Sequence, residues 1–143
     1  MGGWAEEVWY SLFEVAKLSE RLELPAATIV HRYLEAYDFR SQRAEPLVEL
    51  ARFYRERKQY VLAHLFASRA ILLVRPDDTL FLDAATYEWR AIDEYAVASY
   101  WIGRYRDSVQ ACEQLLKNVA LPYEQLARVT ENLNFALQAL GAI

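Results

Sequence analysis

The side chains best suited to bond-making chemistry are few in this chain and far apart. His31 and His64 fall in different helical stretches, and neither has a second His, Cys or Asp placed to complete a metal site. Both read as structural, and no metal and no cofactor is expected. Cys112 stands at a small-residue position of a helix, whereas a reactive thiolate needs exposure and a positive neighbourhood. Asp77, Asp78 and Asp83 suggest a calcium loop by composition, but the twelve-residue spacing and its closing Glu are missing. Turn chemistry at Asp77-Asp78 and a helix cap at Asp83 explain them better. No nucleophile elbow, P-loop or dinucleotide fingerprint occurs. No residue is assigned a catalytic role, and an independent enzyme has the least support.

The elements that would position any site are helices. The chain has 143 residues, and its four glycines and four prolines fall between periodic segments. The first helix is predicted from about Trp4 to Arg21, with Val8, Leu12, Val15 and Leu22 inward and Phe13 and Ala16 beside them. Pro25 opens a second helix, which buries Ile29, Tyr33 and Ala36 and ends at Tyr37 or Phe39. A third follows Arg43, and Lys58-Gln59-Tyr60 turns the chain into a fourth. Residues 75–84 break the periodicity. A fifth helix spans about Ala84 to Trp101, a sixth Tyr105 to Asn118, and a last one follows Pro122 with Leu126, Val129, Leu133 and Leu137 inward.

Two of these stretches align. With Ala44 and Trp89 both at position 1, Leu50 faces Tyr95, Ala51 faces Ala96, Ala63 faces Ser108 and Ala67 faces Cys112. Leu50, Ala51, Ala63, Ala67, Ala96, Ser108 and Cys112 are the expected core, small where helices cross closely. Extending the frame places starts at Tyr10, Ala44, Trp89 and Tyr123, separated by 34, 45 and 34 residues. The middle interval is one repeat plus an 11-residue insertion. The units are then about 10–43, 44–74 and 89–122, with a terminal helix over 123–140, all in one domain. A helix pair that is apolar on one side must stack on a neighbour to bury it.

This pattern resembles a tetratricopeptide-repeat protein. Gly103-Arg104-Tyr105 sits where that family has its turn, and Ala96, Ser108 and Leu115 occupy signature positions. Leu47, Leu50, Ala51, Tyr54, Tyr60, Ala63, Ala67 and Ala70 match in the preceding unit, with Lys58 in place of the turn glycine. The resemblance implies an all-α fold, a right-handed superhelix of antiparallel helix pairs, about seven helices in total, and a concave protein- or peptide-binding face. More narrowly, the run from Tyr33 to Ala70, the PDD…LF turn and YEWRAIDEYAVASYWIGRY resemble the helical region that accompanies certain bacterial glycosyltransferase domains. That likeness confers no transferase activity, since no Asp-x-Asp at a strand end is present.

In the resembling fold, positions 2, 5, 9, 12 and 13 of each first helix line the concave face. Here they are Ser11, Glu14, Leu18, Arg21 and Leu22; Glu45, Val48, Arg52, Arg55 and Glu56; Arg90, Asp93, Val97, Tyr100 and Trp101; and Glu124, Ala127, Glu131, Asn134 and Phe135. Arg52, Arg55, Arg90, Asp93, Tyr100 and Trp101 are the expected partner-binding set, because forked guanidiniums and rigid aromatics anchor proteins. The bland alternative has the two aromatics sealing a turn and the arginines solvated. The family's carboxylate clamp, Lys and Asn at positions 5 and 9, is absent.

The net charge of −4 argues against a general phosphate-binding surface, so nucleic acid is not an expected partner. One cysteine makes no internal disulfide, and the opening MGGWAEE has no signal-peptide pattern. No apolar run is long enough to span a bilayer, and a cytoplasmic location is expected. Leu80-Phe81-Leu82 is expected either to tuck over the seam between the second and third units or to project toward a partner. Trp4, Trp9, Tyr10 and Phe135 lie on terminal helices with one stacking neighbour, which suggests a homodimer or interdomain contact. The expected function is a non-enzymatic protein–protein or interdomain interaction module. The alternative is an accessory region of a glycosyltransferase that positions the acceptor or a covalently attached catalytic domain.

Overall fold

Small and apolar residues at helical spacing close into helices, and the turn residues fall at their ends. The structure is a computed structural model that describes residues 2–142. It is all-α, with seven helices: α1 (Gly2–Arg21), α2 (Ala26–Phe39), α3 (Glu45–Glu56), α4 (Tyr60–Ala70), α5 (Ala91–Trp101), α6 (Tyr105–Lys117) and α7 (Leu126–Gly141). A π-helical turn, Thr86–Arg90, leads into α5, and a single 3-10 turn, Tyr123–Gln125, leads into α7. Each helix packs on the next along the chain, and α3 also touches α5.

The repeat is written in the backbone as well as in the side chains. Glu23, Lys58 and Gly103 each take a left-handed conformation, with φ of 54°, 59° and 83°. One residue further on, Leu24, Gln59 and Arg104 donate their N–H groups to the carbonyls of Ser19, Tyr54 and Ser99 at 3.1, 2.9 and 2.8 Å. The same C-terminal cap therefore closes α1, α3 and α5. Only the third uses glycine, the residue for which this conformation has no steric cost.

These turns also correct the frame of the first unit. One residue separates the left-handed position from α4 and from α6, whereas Leu24 and Pro25 both precede α2. The extra residue shifts α1 by one place. Ala16 is fully buried and Lys17 is not; Trp9, Phe13 and Ser19 are buried with it, while Val15 and Leu22 are exposed. Trp9, expected on an open terminal surface, is fully buried in a core cluster with Phe13, Tyr33, Leu50 and Phe53. Trp4 and Phe135 are exposed. In α7 the buried residues are Val129 and Ala136, with Leu126 and Leu133 half-buried and Leu137 exposed. At about 100° per residue Ala136 returns almost beneath Val129, and Leu137 has drifted about 80° away.

Leu50, Ala51, Ala63, Ala67, Ala96, Ser108 and Cys112 are all buried. The close crossing of α5 and α6 is seen directly, where Ser108 Oγ donates to the Ala96 carbonyl at 2.8 Å. A hydroxyl fits there because its hydrogen bond is satisfied locally.

Residues 71–83 form a strap across one end of the bundle, and it does not simply cover the α4–α5 seam. Glu6 of α1 accepts the backbone N–H groups of Thr79 and Leu80 at 2.9 and 2.8 Å. Phe81, half-exposed, stacks on Tyr10 with ring centres 3.9 Å apart. Arg40 makes two bonds to Asp78 at 2.8 and 2.5 Å. Arg43, fully buried, reaches Glu45 at 3.1 and 2.8 Å, Asp78 at 3.0 Å, and the carbonyls of Leu80 and Phe81. Glu45 in turn accepts the Tyr87 hydroxyl at 2.7 Å, and that hydroxyl accepts the Ala44 N–H. A buried guanidinium is tolerated only when its N–H groups are met in this way.

Candidate functional site

Residues three or four apart share a helix face, and three helices turn such faces toward one another. Arg52 and Arg55 project from α3; Arg90 ends the π turn; Asp93, Val97 and Tyr100 follow along α5; Arg128, Asn132 and Phe135 come from α7. They line two hollows. The larger, 490 Å³, is bounded by Arg52, Arg55, Arg90, Asp93, Glu94 and Arg128, among others. The smaller, 130 Å³, is bounded by Ala96, Tyr100, Trp101, Ser108 and Phe135. Val97 and Asn132 line both, so the hollows form one trough, charged at one end and aromatic at the other. All six side chains of the expected partner-binding set border it.

The arginines are held by carboxylates in a ladder that crosses the helices. Arg52 bonds Glu49 and Glu56 of its own helix at 2.9 and 2.7 Å, and also Glu20 of α1. Glu20 also accepts the Tyr33 hydroxyl at 2.5 Å. Arg55 grips Glu94 of α5 through two bonds, at 2.7 and 3.0 Å. Arg90 spans from Asp83 to Glu49 at 3.3 and 2.9 Å. Arg128 holds Asp93 through two bonds at 3.0 and 2.9 Å and reaches Gln125 with its Nε. Burial pushes the Glu94 carboxyl above its ordinary value, against the opposing pull of Arg55. Each of these guanidiniums joins two helices or two turns of the fold.

The π turn sets part of this geometry. The Ala91 N–H bonds back to the Thr86 carbonyl, one residue further than in an α-helix. Tyr87 then faces Glu45, and Arg90 faces Glu49 on α3. Asp83 does not cap the helix with its carboxylate, which instead takes the Thr86 hydroxyl at 2.9 Å and Arg90.

At the other end, Trp101 is 57% exposed and stacks on Tyr60 with ring centres 5.0 Å apart. Tyr100 meets Trp101 edge-on, and packs against Tyr105 and Phe135. Trp101 thus joins the end of α5 to the start of α4 and leaves much of its surface facing solvent.

Several expected lining residues lie elsewhere. Glu45 and Val48 are buried, Glu45 in the Arg43 network and Val48 in the core. Glu124, Ala127, Glu131 and Asn134 border a separate shallow hollow on another face of α7. The 3-10 turn at Tyr123–Gln125 offsets α7 by one residue, so Gln125, Arg128 and Asn132 face the trough instead. Ser11, Glu14, Leu18, Arg21 and Leu22 do not line it, and with the corrected frame Glu20 is the α1 residue that reaches Arg52. Arg128 was legible only as a basic residue three places after Gln125, and nothing marked the π turn.

Cys112 is buried, and burial pushes its thiol up to about 11, away from thiolate chemistry. His31 is exposed beside Glu35, and His64 lies against Tyr95 and Ser68. Among the described residues no three His, Cys, Asp or Glu side chains gather around a common point. No helix among them is long and apolar enough to cross a membrane. No family model, curated protein or solved structure matches the chain.

Proposed function

We propose that this chain is a non-enzymatic interaction module whose stacked helix pairs, coiled as a short right-handed superhelix, seat a protein or peptide segment in the trough between α3, α5 and α7. The partner is a separate protein or a covalently attached domain. The observation that carries the reading is the continuity of the trough. A preorganised charged floor meets an aromatic slot, and a rigid, half-exposed Trp101 stands at the rim. Side chains already held by packing and ion pairs lose little freedom on binding, and Trp, Tyr and Arg are the usual anchors of such contacts.

Site-specific photo-crosslinking in cells tests this. A photoreactive residue at Asn132, on the trough floor, should capture a defined partner, and Trp101→Ala should abolish that product while costing no more than about 1 kcal/mol of stability. Equal capture from a photoreactive residue at Val61, an exposed position of α4 outside the trough, with no effect of Trp101→Ala, would overturn the reading.

A further inference from the structure

α1 carries two apolar stripes, and the fold buries one of them. Trp9, Phe13 and Ala16 face the core. Trp4, Val8, Ser11, Val15, Leu18 and Leu22 recur at alternating steps of four and three residues. At about 100° per residue they share an arc of about 80° on the far side of the helix. Leu22 lies one residue beyond α1, yet its N–H still bonds the Leu18 carbonyl at 2.9 Å, which keeps it in phase. Trp4 is 70% exposed, Leu22 63%, Leu18 44% and Val15 43%; Ser11 is exposed and Val8 half-buried. No element among the described residues lies over this stripe.

Alternation of four and three is the seam of a two-helix coiled coil, which stays wet until a second helix lies on it. The stripe fits its own copy run antiparallel. Trp4 then meets Leu22 of the other copy, Val8 meets Leu18 and Ser11 meets Val15, each pair twice about a two-fold axis near residue 13. Charge fixes the direction. Glu7 and Arg21 are exposed on one flank of the stripe, and among the described residues neither makes an ion pair. In the antiparallel pair Glu7 of one copy and Arg21 of the other share that flank, offset by about 3 Å along the helix axis. In a parallel pair the flank facing them carries Leu12 and Ser19, and neither charge is met. Glu14, nearest the two-fold axis, approaches its own copy, but Lys17 neutralises it from 2.9 Å.

We infer that α1 is a self-association surface. Two copies pair antiparallel through Trp4, Val8, Val15, Leu18 and Leu22, with Glu7 and Arg21 joined at both ends. The stripe is about 27 Å long and about 10 Å wide, well under the roughly 800 Å² per partner of a standard interface. The dimer is therefore weak, with a dissociation constant on the order of 10–100 µM. Pairing is separate from the trough, because no residue of α1 lines it.

Sedimentation equilibrium of the intact chain from about 1 to about 500 µM tests it, since the dimer fraction must rise by mass action. Leu18→Glu, at an exposed site, should hold the chain monomeric with its helical circular dichroism unchanged. Glu7→Arg should weaken pairing about five- to tenfold, and Glu7→Arg combined with Arg21→Glu should restore it. Cross-linking reads the direction: chains carrying Trp4→Cys, mixed with chains carrying Leu22→Cys, should join through a disulfide under mild oxidation, and neither should join with itself. Self-joining of either variant, or a double reversal that restores nothing, would overturn the antiparallel pairing. A chain that stays monomeric throughout would give the stripe to a different partner or an attached domain and overturn self-association. A dimer indifferent to Leu18→Glu would place the contact elsewhere and overturn the assignment to α1.

Discussion

The guanidinium of Arg43 lies over the ring of Trp9 with its carbon 3.7 Å from the ring centre, and both side chains are fully buried. Their contact joins α1 to the turn that precedes α3, and the same guanidinium holds the strap through Asp78 and the Leu80 and Phe81 carbonyls. One side chain thus ties the first helix, the third helix and the 71–83 segment together. Replacing Arg43 with Met leaves Asp78 and Glu45 without their shared partner in a buried setting. The expected loss is about 3–5 kcal/mol, measured by urea denaturation. Amide exchange at Thr79 and Leu80 should rise before global unfolding, since their hold on Glu6 depends on the strap lying flat.

Asp78 gives the strap an acid limit. Its two hydrogen bonds from Arg40, then the one from Arg43, hold the carboxyl below its ordinary value in the fold, against the opposing effect of burial. A carboxylate with a depressed native value binds protons more readily once unfolded. Its contribution is therefore complete above the ordinary carboxylate range, around pH 4, and fades as pH falls through the native value. Asp78→Asn should lower stability at pH 7, and the difference from the parent chain should shrink steadily below pH 4. Equilibrium denaturation of both proteins from pH 7 to pH 2.5 reads this directly.

Lys58 holds a glycine's conformation at φ 59°. The equivalent residue one unit later is Gly103, and both turns make the same hydrogen bond from the next residue. Lys58→Gly should therefore raise stability by about 0.5–1 kcal/mol, because relief of left-handed strain outweighs the added freedom of the unfolded chain. Gly103→Lys should cost a similar amount, although a side chain there meets no steric obstacle. A matched pair of thermal melts measures both.

The helices, the turn at Lys58 and the small-residue crossings were readable in the sequence because each is a local property with a fixed period. Ala51, Ala63, Ala67 and Cys112 had to be small wherever helix pairs stack. The phase of α1 was not readable, because it depends on a single extra residue at Leu24-Pro25, and a one-residue shift leaves the apolar composition of the helix unchanged. The six expected residues that border the trough were placed by analogy of position. Their electrostatics were not, since Glu20 lies 32 residues from Arg52, Glu94 39 residues from Arg55, and Arg128 35 residues from Asp93. No local pattern encodes pairs of that separation, and the buried Arg43 network belongs to the same class.

Arg55 and Glu94 should behave as a coupled pair. Arg55→Glu places a third acid beside Glu94 and Asp93, so it should destabilise the chain and is a poor probe of binding. Exchanging both residues, Arg55→Glu with Glu94→Arg, should recover part of the loss. Arg55 is about one-third exposed, so solvent limits the coupling to about 1 kcal/mol. A double-mutant cycle measures it, and strict additivity would show that the two bonds contribute nothing.

The small-residue crossing at Ala67 provides the sharpest test of the stacking itself. Ala67 is fully buried on α4, at the repeat position that Cys112 takes on α6 one unit later. Ala67→Leu forces three additional carbons into a space that α3 and α5 close, and should cost about 1–3 kcal/mol by overpacking. Trp101→Ala, by contrast, removes a larger side chain from a half-exposed rim and should cost no more than about 1 kcal/mol. If urea midpoints reverse that order, with the large exposed residue mattering more than the small buried one, the helix packing described above is wrong.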